Sequence, residues 1–427
     1  MNRYHRYQNV KSYWYGEVPH HWKKTKNKYV FHQDKKVVGS SWEDYILLTM
    51  GKSGVKPRDM EGGGKFPASF ETYQVVTPNQ IIFCLFDIDE TPRTVGKSSD
   101  HGMITSAYDV FSTTTENDPQ FWTYFYQMID DHKGLRPYYT GLRKVVRSET
   151  FMGIEVFSPP IEEQKLISRY LDKKTSQIDS LVEKIQTKIK LLKEQRTSLI
   201  NHYVTKGLDS NVEMKDSGVE WIGEIPKHWT IKKIKHISQV KRGSSPRPID
   251  DLRYFDEDGR YSWVRIADVS ASGKYLERTT EKLSELGSSL STKMKPGDLF
   301  LSIAGTVGKP IITKIECCIH DGFVWFDGLD INNDYLYYLF LVGSCFQGLG
   351  KMGTQLNLNT DTVGDVQITF PSKKEQEKVV LHLEDDLGKM DQLIHFEQQK
   401  RHKLNEYRQS LISSVVTGKV RITEDMI

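Results

Sequence analysis

The sequence predicts an α+β protein written twice: two mixed α/β domains separated by a pair of long antiparallel coiled-coil helices, with an internal pseudo-twofold repeat. Three observations predict it. A nine-residue motif opens each half of the chain, a second stretch recurs at a constant offset of 212 residues, and a heptad seam runs through that stretch.

The opening motif is Trp14-Tyr15-Gly16-Glu17-Val18-Pro19-His20-His21-Trp22 in the first half and Trp221-Ile222-Gly223-Glu224-Ile225-Pro226-Lys227-His228-Trp229 in the second. Six of nine positions are identical, giving W-x-G-E-x-P-x-H-W. Two Trp, a Pro and a His at fixed spacing do not coincide by chance. The closing stretch starts at Pro159-Pro160-Ile161-Glu162-Glu163-Gln164 and again at Pro371-Ser372-Lys373-Lys374-Glu375-Gln376. The same offset then runs without a gap through Asp179 and Asp391, Arg196 and Arg408, to Val204-Thr205 and Val416-Thr417. A shorter match aligns Thr94-Val95-Gly96-Lys97 with Thr306-Val307-Gly308-Lys309.

From Asp172 to Thr205 there is no Pro or Gly, and Gly207 follows as a stop. Ile178, Val182, Ile185, Ile189, Leu192, Arg196, Leu199 and Tyr203 step by alternating fours and threes, the spacing of helices that pair lengthwise. The mates in the second copy are Met390, Ile394, Glu397, Arg401, Leu404, Arg408, Leu411 and Val415. Glu397 and Arg401 interrupt this second seam, so it pairs poorly with itself and the first helix is its expected partner. Such a helix spans roughly 50 Å. A plain dimerisation stalk is the rival reading.

The frames agree while their contents differ, from Lys23 to Ser158 and from Thr230 to Phe370. This divides the chain into globular residues 1–158, a helical spacer at 159–208, a second globular stretch at 209–370 and a second spacer at 371–427. The 427 residues fit two or three domains, and a 37% hydrophobic content is enough for real cores. A net charge of +3, from 59 basic and 56 acidic residues, means that any nucleic-acid surface must gather its cations into patches. Four cysteines (Cys84, Cys317, Cys318 and Cys345) make no CxxC pair, so no zinc site of the common kind is expected; Cys317 and Cys318 read as buried thiols. Sparse cysteine, the lack of a signal-peptide pattern and apolar runs too short to span a bilayer point to the cytoplasm.

Both globular stretches read as mixed α/β, with strands at Gln80–Phe86 and Leu299–Ile303. Gly305-Thr306-Val307-Gly308-Lys309 is not a phosphate loop, because Ile303 and Pro310 stand where Gly and Ser or Thr are needed. It reads as a turn presenting Lys309 at a surface. Cationic and amide side chains cluster in loops: Lys56, Arg58, Lys97, Arg136, Tyr138 and Arg143 in the first domain, and Arg242, Ser244, Arg247, Arg265, Lys309, Gln355 and Asn357 in the second. Arg reads guanine bidentately, Gln and Asn read adenine, and Lys favours phosphate, so these sets are candidates for DNA contacts. No adenine-methyltransferase motif, cofactor fingerprint or helicase phosphate loop is found, and His21 and His228 read as packing histidines. No catalytic residue, metal site or bound cofactor is expected on this chain.

Two dissimilar domains, each opened by W-x-G-E-x-P-x-H-W and closed by the E-Q stretch and a long helix ending in Val-Thr-Gly-Lys, resemble the specificity subunit of type I restriction-modification enzymes. The resemblance covers essentially the whole chain. It implies that each domain reads one half of a bipartite double-stranded DNA site. It implies that the helices, along the seam Ile178, Val182, Ile185, Ile189, Leu192, Leu199, Met390, Ile394, Leu404 and Leu411, fix the gap between the half-sites. The helices would also dock two modification subunits, which motor-nuclease restriction subunits join. S-adenosylmethionine, ATP and Mg2+ would then sit on those partners. A two-domain coiled-coil scaffold or transcriptional regulator remains the alternative. The first copy departs by ending Val204-Thr205-Lys206-Gly207, with Lys and Gly exchanged.

Overall fold

A computed structural model describes residues 2–51, 54–59, 67, 69–141, 144–347, 349 and 358–427. The helices in chain order are α1 (Pro119–Asp131), α2 (Ser148–Gly153), α3 (Ile161–Lys206), α4 (Ile266–Ala271), α5 (Glu285–Ser289), α6 (Asn333–Val342), α7 (Thr360–Gly364) and α8 (Lys373–Val416). Two compact units emerge, Met1–Gln186 with Gln398–Ile427, and Thr187–Glu397. The division cuts α3 and α8 near their middles, so it does not follow the four segments read from the sequence. Each globular stretch packs on the start of its own helix and on the end of the other copy's helix, and those contacts define the unit.

In the first unit, one four-stranded sheet orders Gly54–Pro57, Ile46–Gly51, Gly102–Ile104 and Gln74–Val76. A second orders Phe31–Asp34, Asp109–Thr113, Ile81–Phe83 and Val95–Lys97. The expected strand at Gln80–Phe86 is thus confined to Ile81–Phe83. Asp118 caps α1 by accepting from the Phe121 amide at 2.8 Å, and Pro119 occupies the first turn, where its missing N–H costs nothing. The core is aromatic: Phe31, Phe83, Phe111, Tyr126 and Phe151 contact one another edge-on or tilted, with centroids 4.8–6.0 Å apart. The same core takes in Ile167 and Leu171 from α3 and Ile412, Val415 and Val416 from α8.

In the second unit, a five-stranded sheet orders Gln239–Arg242, Phe323–Asp327, Leu299–Ser302, Pro310–Thr313 and Tyr275–Leu276. A four-stranded sheet orders Glu281–Leu283, Tyr261–Val264, Cys317–Ile319 and Thr292–Met294. All four cysteines of the chain are buried and free. Thr94–Lys97 and Thr306–Lys309, matched in sequence, differ in structure. Val95–Lys97 is a strand, while Thr306–Lys309 lies in the turn between Leu299–Ser302 and Pro310–Thr313. That tetrapeptide match is not a structural repeat.

The helix α3 begins eleven residues before Asp172, because Pro159-Pro160 fix the approach and Glu162 and Glu163 favour the positive end of the helix dipole. Within the first unit, Arg408 pairs with Asp179 at 3.0 Å. Within the second, Lys188 pairs with Glu397, Arg196 with Asp391 and Tyr203 with Asp386. Partner numbers fall as helix numbers rise, which is antiparallel pairing. Of the seam, Ile178, Ile185, Ile189, Met390 and Ile394 are buried, and Val182, Leu192, Leu199, Leu404 and Leu411 are half-buried. Glu397, an interruption in sequence, is only 5% exposed and accepts from the Lys188 ammonium at 2.5 Å. A buried carboxylate needs such a partner, and the pair ties the two helices together at this level.

Candidate nucleic-acid interface

The two repeated motifs turn out to clasp each other. In the first unit, Glu163 accepts from His21 Nε2 at 2.8 Å, from Trp22 Nε1 at 3.0 Å and from the Tyr4 hydroxyl at 2.5 Å. In the second, Glu375 accepts from His228 Nε2 at 2.6 Å and Trp229 Nε1 at 3.1 Å. The adjoining Gln164 and Gln376 accept from the amides of Asp118 and Asn332, the capping residues of α1 and α6. Each E-Q pair thus binds one opening motif and one domain helix to the start of a spacer helix. His21 and His228 are exposed and hydrogen-bonded, so the reading of both as packing residues is corrected: the adjoining Trp22 and Trp229 do the packing, and the histidines reach a carboxylate. Glycine completes each clasp. A Cβ on Gly418 would lie 2.4 Å from Pro19 Cδ, and one on Gly207 would lie 3.0 Å from Trp229 Cζ2; both residues have φ near +75°.

On these frames stand the candidate DNA contacts. In the first domain, Lys56 is exposed on the strand Gly54–Pro57, Arg58 follows it, and Lys97 ends the strand Val95–Lys97 with its ammonium 3.5 Å from Asn79 Oδ1. Arg136 is held by Asp89 at 3.0 Å. Asp89 also takes Lys144 at 3.0 Å and the Tyr139 hydroxyl at 3.1 Å. Lys144, then Arg136, hold its carboxyl down to about 2. Tyr138 is half-buried against Tyr13 and Trp14, which places it in the packing of the opening motif. Arg143 lies outside the described residues.

In the second domain, three of the candidates converge on one turn. Arg242 Nε donates to the Asp321 carbonyl at 2.5 Å, Arg247 Nη2 donates to the Asp321 carboxylate at 2.9 Å, and the Ser244 amide donates to the Ile319 carbonyl at 3.2 Å. The Ser244 hydroxyl shares a hydrogen bond with Thr292 at 3.0 Å. Arg265 pairs with Glu281 at 2.5 Å, and its backbone amide donates to Asp268, in the first turn of α4. Lys309 differs from expectation. Its ammonium donates to the carbonyls of Ser270 and Ser272 at 3.1 and 2.7 Å, and burial pulls its pKa down. The side chain ties two loops together instead of standing free at a surface. Gln355 and Asn357 lie outside the described residues.

Sequence reasoning missed the acidic partners Asp89 and Asp321 and the neighbouring His320. Nothing local distinguishes them; the turns of the fold bring them beside the cations. The roles of Glu163 and Glu375 were within reach, since both repeat in frame. Among the described residues, no group of His, Cys, Asp and Glu is placed to hold a metal ion, and no helix is long and apolar enough to cross a membrane.

A duplicated α/β domain on paired helices is the architecture with which known proteins can be compared. Residues 226–406 match the family described as the type I restriction modification DNA specificity domain. The type I restriction enzyme MjaVIII specificity subunit of Methanocaldococcus jannaschii is 25% identical over 65% of this chain and 64% of its own length. The MjaIX specificity subunit of the same organism is 31% identical over 39% of this chain and 40% of its own. The matched stretches thus span less than two thirds of these relatives. A solved chain from work on assembly and conformational transition of the type I R-M system shares the fold, with a TM-score of 0.73, 13% identity and coverage of 94% of this chain and 99% of that one. The HsdS subunit of Thermoanaerobacter tengcongensis has a TM-score of 0.53 at 14% identity, over 94% and 98% of the two chains. Residues 226–406 thus carry a likeness to the type I restriction modification DNA specificity domain, and the chain shares the fold of these solved chains over 94% of its length.

Proposed function

We propose that this chain is the sequence-reading subunit of a type I restriction-modification assembly. Each domain reads one half of a bipartite duplex site, the paired helices set the gap, and the chemistry resides on partner subunits carrying S-adenosylmethionine, ATP and Mg2+. The observation that carries this reading is the duplicated clasp: identical frames, His21-Trp22 on Glu163 and His228-Trp229 on Glu375, hold domains whose loops differ. Identical frames with different loops suit two readers of different sequences.

The docking of two modification subunits is supported by repeat-related apolar residues left in solvent. Leu181 and its mate Leu393 are 47% and 51% exposed, although both stand on paired helices. Two equivalent apolar positions suit two copies of one partner.

The test exchanges residues 23–158 for the matching domain of another family member and reads the methylated motif after co-expression with the modification subunit. One half-site should change and the other persist. A change in both, or methylation by the purified chain alone, contradicts the reading.

A further inference from the structure

His320 occupies the turn between the strands Cys317–Ile319 and Phe323–Asp327, where Arg242, Ser244 and Arg247 converge. Its imidazole is held on several sides. The ring packs on Trp263 and Phe323, with centroids 5.8 and 4.7 Å away. The Gly322 amide donates to Nδ1 at 2.8 Å. Only glycine allows that approach, since a Cβ at Gly322 would lie 2.4 Å from the ring's Cε1. A Cβ at Gly243 would likewise strike the His320 carbonyl, at 2.2 Å. The backbone on both sides is built around this residue.

The geometry fixes the tautomer. An Nδ1 that accepts the Gly322 N–H carries no proton, so the proton of the neutral ring sits on Nε2. Asp321 Oδ1 lies 3.6 Å from the same Nδ1, too far to compete with the 2.8 Å bond. Burial lowers the pKa of the ring, which keeps it neutral. Nε2 finds no acceptor among the described residues, and the side chain keeps 20% of its surface exposed. A rigid, neutral, single donor is thus presented beside two arginines.

We propose that His320 is a specificity-determining residue of the second domain, donating Nε2–H to an acceptor on a base edge of that domain's half-site. The inference rests on the DNA-reading function proposed above. In the major groove guanine, adenine and thymine offer acceptors, whereas cytosine shows only its amino donor. The position read is therefore one from which cytosine is excluded on the strand that His320 faces.

The experiment uses the full chain in complex with the modification subunits it co-purifies with, and selects bound sites from random-sequence duplexes. The variant His320→Phe keeps an aromatic ring between Trp263 and Phe323 and removes the donor. One position of one half-site should become degenerate, and affinity for the original site should fall roughly threefold to tenfold, the worth of one neutral hydrogen bond. An unchanged motif overturns the proposal. So does a uniform loss across all sequences, which marks a phosphate contact or a purely structural ring. Should His320→Phe fail to fold, His320→Gln is read in the same selection: a changed preference at a single position supports the proposal, and an unchanged one overturns it. If the wild-type complex itself selects no bipartite motif, the function proposed above fails, and the inference fails with it.

Discussion

Arg408 donates through Nε to Asp179 at 3.0 Å, and Arg196, its counterpart 212 residues earlier, donates to Asp391 at 3.1 Å. Asp391 is in turn the counterpart of Asp179. Two ion pairs, one in each unit, are therefore copies of a single contact. They occupy arginine positions in a seam that is otherwise mostly apolar, where each guanidinium reaches across to the facing helix.

Exposed pairs of this kind contribute little, on the order of 0.5–1 kcal/mol each. Reversing one partner should cost more than removing it, because like charges then face each other. Arg408→Asp is expected to lower the thermal midpoint and the double variant Arg408→Asp/Asp179→Arg to recover most of it. The same cycle on Arg196 and Asp391 should give the same coupling. Unequal couplings would mean that the two pairs are not equivalent.

Gly418→Ala should destabilise by about 1–3 kcal/mol, since it combines a left-handed backbone with a collision against the rigid Pro19 ring. Gly207→Ala meets the Trp229 ring edge at 3.0 Å and should cost less. Denaturant unfolding of the two variants checks the order.

Acid should loosen the second clasp. Burial would raise the Glu375 pKa, but hydrogen bonds from His228, Ser372 and Trp229 outweigh it and hold the group near 2, from an ordinary 4.5. A carboxyl lowered on folding contributes stability that is full above its unfolded pKa and lost as pH falls through the folded one. The window is therefore from about 4.5 down to about 2. Glu375→Gln should be less stable than the wild type at neutral pH and converge with it across that window. A constant difference across the window would contradict the account.

In the second domain, Arg247→Ala should weaken binding by about 1–3 kcal/mol and relax one position of one half-site, if the guanidinium leaves Asp321 for a base edge. Lys309→Met is expected to behave differently. Its ammonium serves the Ser270 and Ser272 carbonyls, so the variant should lose about 1 kcal/mol of stability and leave the salt dependence of binding unchanged. A flattened salt slope would return Lys309 to the phosphate contacts.

The duplicated frame was legible because it is written in identities. Glu163-Gln164 and Glu375-Gln376 recur in frame, and so do Leu192, Arg196 and Leu199 with Leu404, Arg408 and Leu411. The helical spacer read at 159–208 lies close to α3 at Ile161–Lys206, although the heptad seam begins only later, because the first turns pack on the globular domain and not on a facing helix. The partners of the candidate arginines were not legible. Asp89 and Arg136 are 47 residues apart, and Arg247 and Asp321 are 74 apart, so only the closed sheets bring them together. Lys309 misled because a Gly-rich turn looks the same in sequence whether its lysine points outward or folds back on a neighbouring loop.

The central claim is that the paired helices set the spacing between half-sites. Leu192 of α3 lies between Lys188 and Arg196, and Ile394 of α8 lies between their partners Glu397 and Asp391, so these two points face each other. One heptad inserted after each keeps the seam in register and every ion pair intact, and lengthens the pair by about 10 Å. The measurement is the methylated motif left in host DNA when this variant is co-expressed with its modification subunit. The account predicts both half-sites unchanged and a gap widened by up to about three base pairs at roughly 3.4 Å each. A variant that folds, supports methylation and keeps the original gap would contradict it, leaving the helices as a docking surface alone.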